Sequence, residues 1–371
     1  MALSDERAAY VALALTPGIG PQRLTRLLAA CQTATGALAA PFAFLCSVPG
    51  ISPAAATAIL GTNLAAGATV LRRLEDLGAH CLLRDDPGYP AMLRSIPDPP
   101  GVLFAQGNLA LLERPAVAVV GSRDHSAYGG EVGRTIAAAA AAAGLVVVSG
   151  MARGLDAVAQ TAALDAGGLT LGVLGNGLGV IYPAANRALY QRVLELGLLL
   201  TEFPPGERPV VGSFPRRNRL ISGLARVTVV IEAAAGSGTL ITVAAALEQG
   251  RDVMAVPGEI TSPTSVGTNR LLRDGAEPLL EVADLFRHYP ELGEVAAAPA
   301  AGGQEAEGAP PPGLTPEEAS LFRHLAAGPL GLDDLVARSA LPAAQVLTIV
   351  TALELRGLLA PRAGRLALTN R

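Results

Sequence analysis

The sequence predicts an α/β core built on a doubly wound parallel sheet, with a helical domain before it and a winged helix after it. Three observations predict this. Short apolar runs at residues 117–120, 145–149, 170–174, 198–202, 227–231 and 252–256 alternate with helix-patterned stretches such as 129–143, 155–166 and 240–249. The runs are continuously apolar instead of alternating, as strands are when helices cover both faces of a parallel sheet. A stretch rich in Ala, Pro and Gly at 294–313 then separates a small final segment from the core.

From the N-terminus, residues 1–66 read as helices broken by two similar turns, Thr16-Pro17-Gly18-Ile19-Gly20-Pro21 and Val48-Pro49-Gly50-Ile51-Ser52-Pro53. This is a helix-hairpin-helix pattern. Such a turn can offer backbone N–H groups to a phosphate, and it serves equally as a plain connection between packed helices. The α/β core occupies 78–289. The segment 294–313, EVAAAPAAGGQEAEGAPPPG, holds too few large apolar residues to offset its ordering entropy, so disorder is expected there. The last domain, 314–371, shows helices at 316–327, 331–339 and 343–356. Strands follow at 358–361 and 365–368, turned by Ala363-Gly364. Three helices and a hairpin make a winged helix. Its third helix carries little positive charge, which favours a protein contact over duplex DNA.

Composition narrows the function classes. Half of the 371 residues are hydrophobic and mean hydropathy is +0.40, enough to build large cores. Residues 1–10 lack the basic-then-apolar order of a secretory signal. The longest apolar run, 136–148, is Ala-rich, broken by Gly144, and short of the roughly 20 residues a membrane span needs. The expectation is a soluble cytoplasmic protein with no membrane partner. Cys31, Cys46 and Cys81 are scattered with no CxxC pair, and His80, His125, His288 and His324 show no metal spacing. Disulfide and zinc readings therefore give way to small buried thiols. All 28 basic residues are Arg. A Walker A loop and a lysine Schiff base are excluded, because both need an amine. The net charge of −4 speaks against nucleic acid only on average, since a binding face needs no more than a local patch.

The chemistry gathers where strands end. Gly121-Ser122-Arg123, Ser149-Gly150-Met151-Ala152-Arg153-Gly154-Leu155-Asp156, Gly175-Asn176-Gly177 with Tyr182-Pro183, and Gly236-Ser237-Gly238-Thr239 each follow a predicted strand. In a parallel sheet they project from one edge, where ligands of such folds bind. Glycines admit a ligand close to the backbone, and helix N-termini add partial positive charge. Singly, each is an ordinary strand–helix turn; together, with Arg123 and Arg153, they favour an anion site. Residues 207–226 hold five Arg against one Glu, and Arg216, Arg217 and Arg219 crowd around Asn218 behind Phe214-Pro215. Arginine forks onto phosphate oxygens and an aromatic stacks on a base, which is how a single-strand groove is lined. Phe214 in a core is the plain alternative. No GxGxxG, GxSxG or HExxH is present, and no nucleophile–base pair can be assembled.

In their order and spacing these motifs resemble the DNA processing protein A (DprA) family. The matching residues are Val119-Val120-Gly121-Ser122-Arg123, residues 149–156, Gly175-Asn176-Gly177, Tyr182-Pro183 and Phe214-Pro215-Arg216-Arg217-Asn218-Arg219. Glu232-Ala233, Ser237-Gly238-Thr239-Leu240, Pro257-Gly258, Gly267-Thr268-Asn269 and Asp274-Gly275-Ala276 continue the match. The resemblance implies an extended Rossmann-like core, a SAM-like helical N-terminal domain and a winged helix. It implies a dimeric protein that binds incoming single-stranded DNA in natural transformation and loads the RecA recombinase on it, with no nucleotide cofactor and no catalysis. Carried over residue by residue, it makes Gly121, Ser122, Arg123, Ser149, Gly150, Arg153, Phe214, Arg216, Arg217, Asn218, Arg219, Ser237, Gly238 and Thr239 the single-strand site. The sequence departs from the family at Ala159-Gln160, where an Ala-His pair is usual, and in having no Lys counterpart to the lysines often found in the family's pocket, whose charge but not geometry Arg can replace.

Two other readings stand beside this one. The Gly236–Thr239 turn looks like the phosphate loop of nucleoside-monophosphate phosphoribohydrolases, but Thr242 stands where those enzymes carry a catalytic Glu. The other alternative is an adaptor whose helical and winged domains bind proteins and whose pocket binds no DNA.

Overall fold

A computed structural model gives the fold and describes residues 3–292, 314–326, 330–339, 341–362 and 365–368. The expected disordered linker, 294–313, and the hairpin turn at Ala363-Gly364 lie outside the described residues. The chain forms two compact units, residues 1–299 and 300–371.

The first unit opens with α1 (Leu3–Ala14), α2 (Pro21–Cys31), α3 (Ala34–Ala39), α4 (Phe42–Ser47), α5 (Pro53–Leu60) and α6 (Leu64–Asp76). The two Pro-Gly turns join α1 to α2 and α4 to α5, with Gly18 and Gly50 left-handed at φ +80° and +88°. Both turn carbonyls are occupied: Arg23 donates to Gly18 O and Arg26 to Pro49 O. The expected boundary at residue 66 falls inside α6. Gly67 lets α6 run against the Ala8 carbonyl of α1, where any Cβ would collide with the backbone. The helical segment has its own core of Leu13, Leu24, Leu27, Leu45 and Ile59. A second cluster of Val11, Leu74, Phe104, Tyr190 and Leu199 ties it to the sheet.

The sheet elements follow as β1 (His80–Leu83), α7 (Ala91–Arg94), β2 (Val102–Gly107), β3 (Ala116–Val120), α8 (Ala127–Ala142), β4 (Val146–Ser149), α9 (Leu155–Asp165), β5 (Leu169–Val173), α10 (Arg187–Leu196), β6 (Leu198–Thr201), α11 (Ser213–Gly223), β7 (Val227–Val230), α12 (Thr239–Glu248), β8 (Asp252–Ala255), α13 (Val266–Arg273), β9 (Glu277–Pro278) and α14 (Val282–Phe286). They form one nine-stranded sheet in the order β1-β2-β6-β5-β4-β3-β7-β8-β9. From β6 to β9 every pairing is parallel, as expected. The strands β1 and β2, which sequence reasoning did not identify, add an antiparallel edge.

Alternation inside each strand builds both faces. Ala118, Val120, Val146, Val148, Leu171 and Val173 point to one side, against Leu220 and Ile221 of α11 and Val243 of α12. Val117, Val119 and Val147 point to the other, against Ile136 and Ala140 of α8 and Ala159 and Ala163 of α9. Continuous apolar strands are the signature of such two-sided burial. The chain winds outward from β3 through β4, β5 and β6, then returns to place β7 on the other side of β3. The switch point therefore lies between β3 and β7, where folds of this kind hold ligands beyond the carboxyl ends of the strands.

The second unit contains α15 (Pro316–Ala326), α16 (Leu332–Ser339), α17 (Ala343–Leu355) and the antiparallel hairpin β10 (Leu359–Arg362) and β11 (Arg365–Leu368). Leu321, Leu325, Leu335, Val346 and Leu353 form its core, the winged-helix arrangement expected from the sequence.

Candidate nucleic-acid interface

Two cavities open at the carboxyl edge of the sheet. The larger, about 500 Å3, sits at the switch point and is lined by Gly121–Asp124 after β3 and Ala234–Thr239 after β7. The smaller, about 150 Å3, lies at the ends of β4 and β5, beside Gly150–Arg153, Gly175, Tyr182 and Pro183. Arg123, Ala152, Phe214 and Arg217 line both and so form the partition between them.

Each wall has a local cause. The α12 helix starts at Gly238 with no side-chain cap, so the positive end of its dipole opens on the larger cavity. Thr239 donates its hydroxyl to Gly121 O at 3.1 Å, and Asn218 donates to Gly238 O at 3.3 Å, locking the β3, β7 and α11 loops together. Glu232, which is buried, accepts from the Ser126 N–H and hydroxyl and from Thr264, fixing the start of α8.

The loop after β4 is held almost atom by atom. Asp156 accepts from the N–H groups of Gly150 and Ala152, and Gln160 accepts from the Met151 N–H at 3.2 Å. Asn186 donates to both Met151 O (2.9 Å) and Ala152 O (3.0 Å). Met151 is thereby kept at φ +56°, an uncommon conformation for a residue with a side chain. Arg153, the next residue but one, is exposed beyond this braced loop. Gln160 serves as a neutral brace.

The arginines separate. Arg123 is exposed, and its guanidinium lies 5.7 Å from the Phe214 ring centroid. Arg217, expected to grip phosphate, is instead buried in the floor. It donates to Gly150 O and Val173 O, pinning the ends of β4 and β5. Burial pulls its pKa down to about 10, opposed by the charge of Asp156 and reinforced by Arg123. Burial likewise pushes the Asp156 carboxyl above its ordinary value, with Arg217 opposing. Arg216 and Arg219 depart further from the expected site. Both turn onto the buried carboxylate of Glu202, at 3.0 and 2.7 Å, and Arg216 also lies over Phe203. Neither lines either cavity. Ser149 is also corrected: it is fully buried, with its hydroxyl on Val119 O. Gly121, Ser122, Arg123, Gly150, Arg153, Phe214, Arg217, Asn218, Ser237, Gly238 and Thr239 do come together.

Sequence reasoning missed Asn186, the structural role of Asp156, and Tyr182 as a wall. Asp156 carried a signal, an acid in the first turn of a helix that follows a glycine loop. Asn186 carried none, because its partners lie 34 and 35 residues away. Among the described residues no cluster of His, Cys, Asp and Glu is arranged to hold a metal ion. Nor is any single helix among them long and apolar enough to cross a membrane.

Comparison with known proteins places the chain in a family. Residues 80–290 match the family described as DNA recombination-mediator protein A, and residues 305–365 match the DprA winged helix domain. The chain is 44% identical over 216 residues to Protein Smf of Escherichia coli, and that match spans 58% of each chain. It is 39% identical over 223 residues to DNA processing protein DprA of Bacillus subtilis, across 60% of this chain and 75% of that one. The structure of DprA from Streptococcus pneumoniae superposes with a TM-score of 0.66 at 33% identity, over 77% of this chain and 98% of that one. DNA processing protein A from Helicobacter pylori, described for its single-stranded DNA binding mode, gives 0.52 at 30% identity over 56% and 94%. The chain belongs to the DNA recombination-mediator protein A family, whose members are DNA-processing proteins.

Proposed function

We propose that this protein binds incoming single-stranded DNA across the two cavities, protects it, and hands it to the RecA recombinase, acting in the cytoplasm as a homodimer. The observation that carries the reading is the pairing of exposed Arg123 and Arg153 with an aromatic wall at the switch-point edge. Arginine supplies phosphate contacts, and aromatic faces accept any unpaired base. The name of the Helicobacter pylori relative supports the choice of single strand. We place no catalysis here and no nucleotide cofactor. Asp156, an acid lining the larger cavity, is occupied by backbone N–H groups beside Arg217. Thr242, at the position of the phosphoribohydrolase glutamate, is a buried hydroxyl. The winged helix is assigned to a protein or duplex contact.

RecA filament growth on oligonucleotides pre-coated with single-strand-binding protein tests the mediator role. Addition of this chain is expected to shorten the lag. An unchanged lag with a demonstrably bound strand would remove the loading step and leave a binding protein.

A further inference from the structure

The aromatic wall contains two rings, of which Tyr182 is the more exposed. Phe214 is half-buried, and three neighbours already claim its surface. The Arg123 guanidinium lies 5.7 Å from its centroid, and the Tyr182 ring lies 5.6 Å away, tilted by 35°. Its edge packs so closely on Gly175 that a Cβ there would fall 2.8 Å from it. Tyr182 is 47% exposed on the rim of the smaller cavity.

We infer that Tyr182, not Phe214, is the stacking platform for a nucleobase of the bound strand. The inference rests on the single-strand reading above and assigns the base subsite within it. Phe214 becomes the wedge that backs the platform and holds Arg123 in place. Tyr182 is backed by the Phe214 ring. Asn186 ties the same segment to the carbonyls of Met151 and Ala152, two residues that lead into Arg153. One latch therefore sets the spacing between the ring and the Arg153 charge. Tyr182 and Arg153 line the same cavity. A tyrosine face is sequence-tolerant, and its polar end suits a wet rim.

The composition supplies a direct readout. The chain has six Tyr and no Trp, so tyrosine emission is unmasked. Tyr10, Tyr89, Tyr190 and Tyr289 are buried; only Tyr128 and Tyr182 are exposed. Tyr128 stands at the start of α8 with its hydroxyl on Pro257 O and lines neither cavity.

The test titrates the full chain with oligo-dT and with an abasic strand of equal length, following tyrosine emission and anisotropy. Oligo-dT is expected to quench the emission and the abasic strand to leave it. The quench should persist in Tyr128→Phe and vanish in Tyr182→Phe. Tyr182→Leu should weaken oligo-dT binding by about 5- to 150-fold, the range for one lost base stack, and Tyr182→Phe should restore most of it. Abasic affinity should be the same in all these forms. Unchanged oligo-dT affinity in Tyr182→Leu, or equal losses for oligo-dT and the abasic strand, overturns the platform while leaving the single-strand reading intact. Failure of the unaltered protein to bind either strand overturns both.

Discussion

Arg123 and Arg217 stand in one partition yet have opposite duties, because one is exposed and the other is buried with its Nη1 bonded to the Gly150 and Val173 carbonyls. The difference has a measurable form. Each phosphate contact contributes about −0.7 to the slope of log affinity against log salt for a single strand. Arg123→Ala and Arg153→Ala are each expected to weaken oligo-dT binding and flatten that slope by about 0.7. Arg217→Met is expected to weaken binding at every salt concentration with the slope unchanged, because it loosens the floor without removing a phosphate contact. A flattened slope in Arg217→Met would return that residue to the phosphate surface. The sequence showed the basic cluster of residues 216–219 but not its sorting. Neighbouring positions on a helix point in different directions, and the buried Glu202 just after β6, with Asp98 also holding Arg219, decides where Arg216 and Arg219 turn.

Strands and helices of the core were legible because short continuous apolar runs alternate with stretches of helical period. The expected strand at 227–231 is β7, and the expected helix at 155–166 is α9, each within a residue at its ends. The strands β1, β2 and β9 were not legible. Prolines at 87, 90, 97, 99 and 100 crowd the β1–β2 region, and β9 is only two residues long. The capping box of α14 yields a prediction at this scale. Asp284 accepts from the N–H groups of Glu281 and Leu280, each at 2.9 Å. The Glu281 N–H foremost, against the opposing effect of burial, holds the Asp284 carboxyl below its ordinary value. A lowered folded pKa means that the stabilisation is present above the unfolded carboxylate pKa and is lost as pH falls through the folded one. Asp284→Ala should therefore cost about 1 kcal/mol at neutral pH, and progressively less in acid below about pH 4. Urea unfolding at both pH values checks it; an equal cost at each would contradict the ion's part.

Across the whole molecule, the helical segment and the sheet share the cluster around Val11, Leu74, Phe104 and Leu199, whereas the winged helix has a separate core. Calorimetry should accordingly resolve two transitions, one for residues 1–299 and one for 300–371, in place of one for each of three domains. A third transition would mean that the helical segment melts on its own. The sequence separated the winged helix through the composition of residues 294–313, but it could not show the joint between helices and sheet, which depends on residues far apart in the chain.

Binding of unpaired DNA at the switch-point edge is the claim on which the rest depends, and fluorescence anisotropy of labelled oligo-dT and a matched duplex across a salt series, without nucleotide, tests it most directly. The predicted result is tight binding of the single strand, weakening steadily as salt rises, with the duplex bound much more weakly. Absence of single-strand binding at low salt, or equal affinity for the duplex, would contradict it.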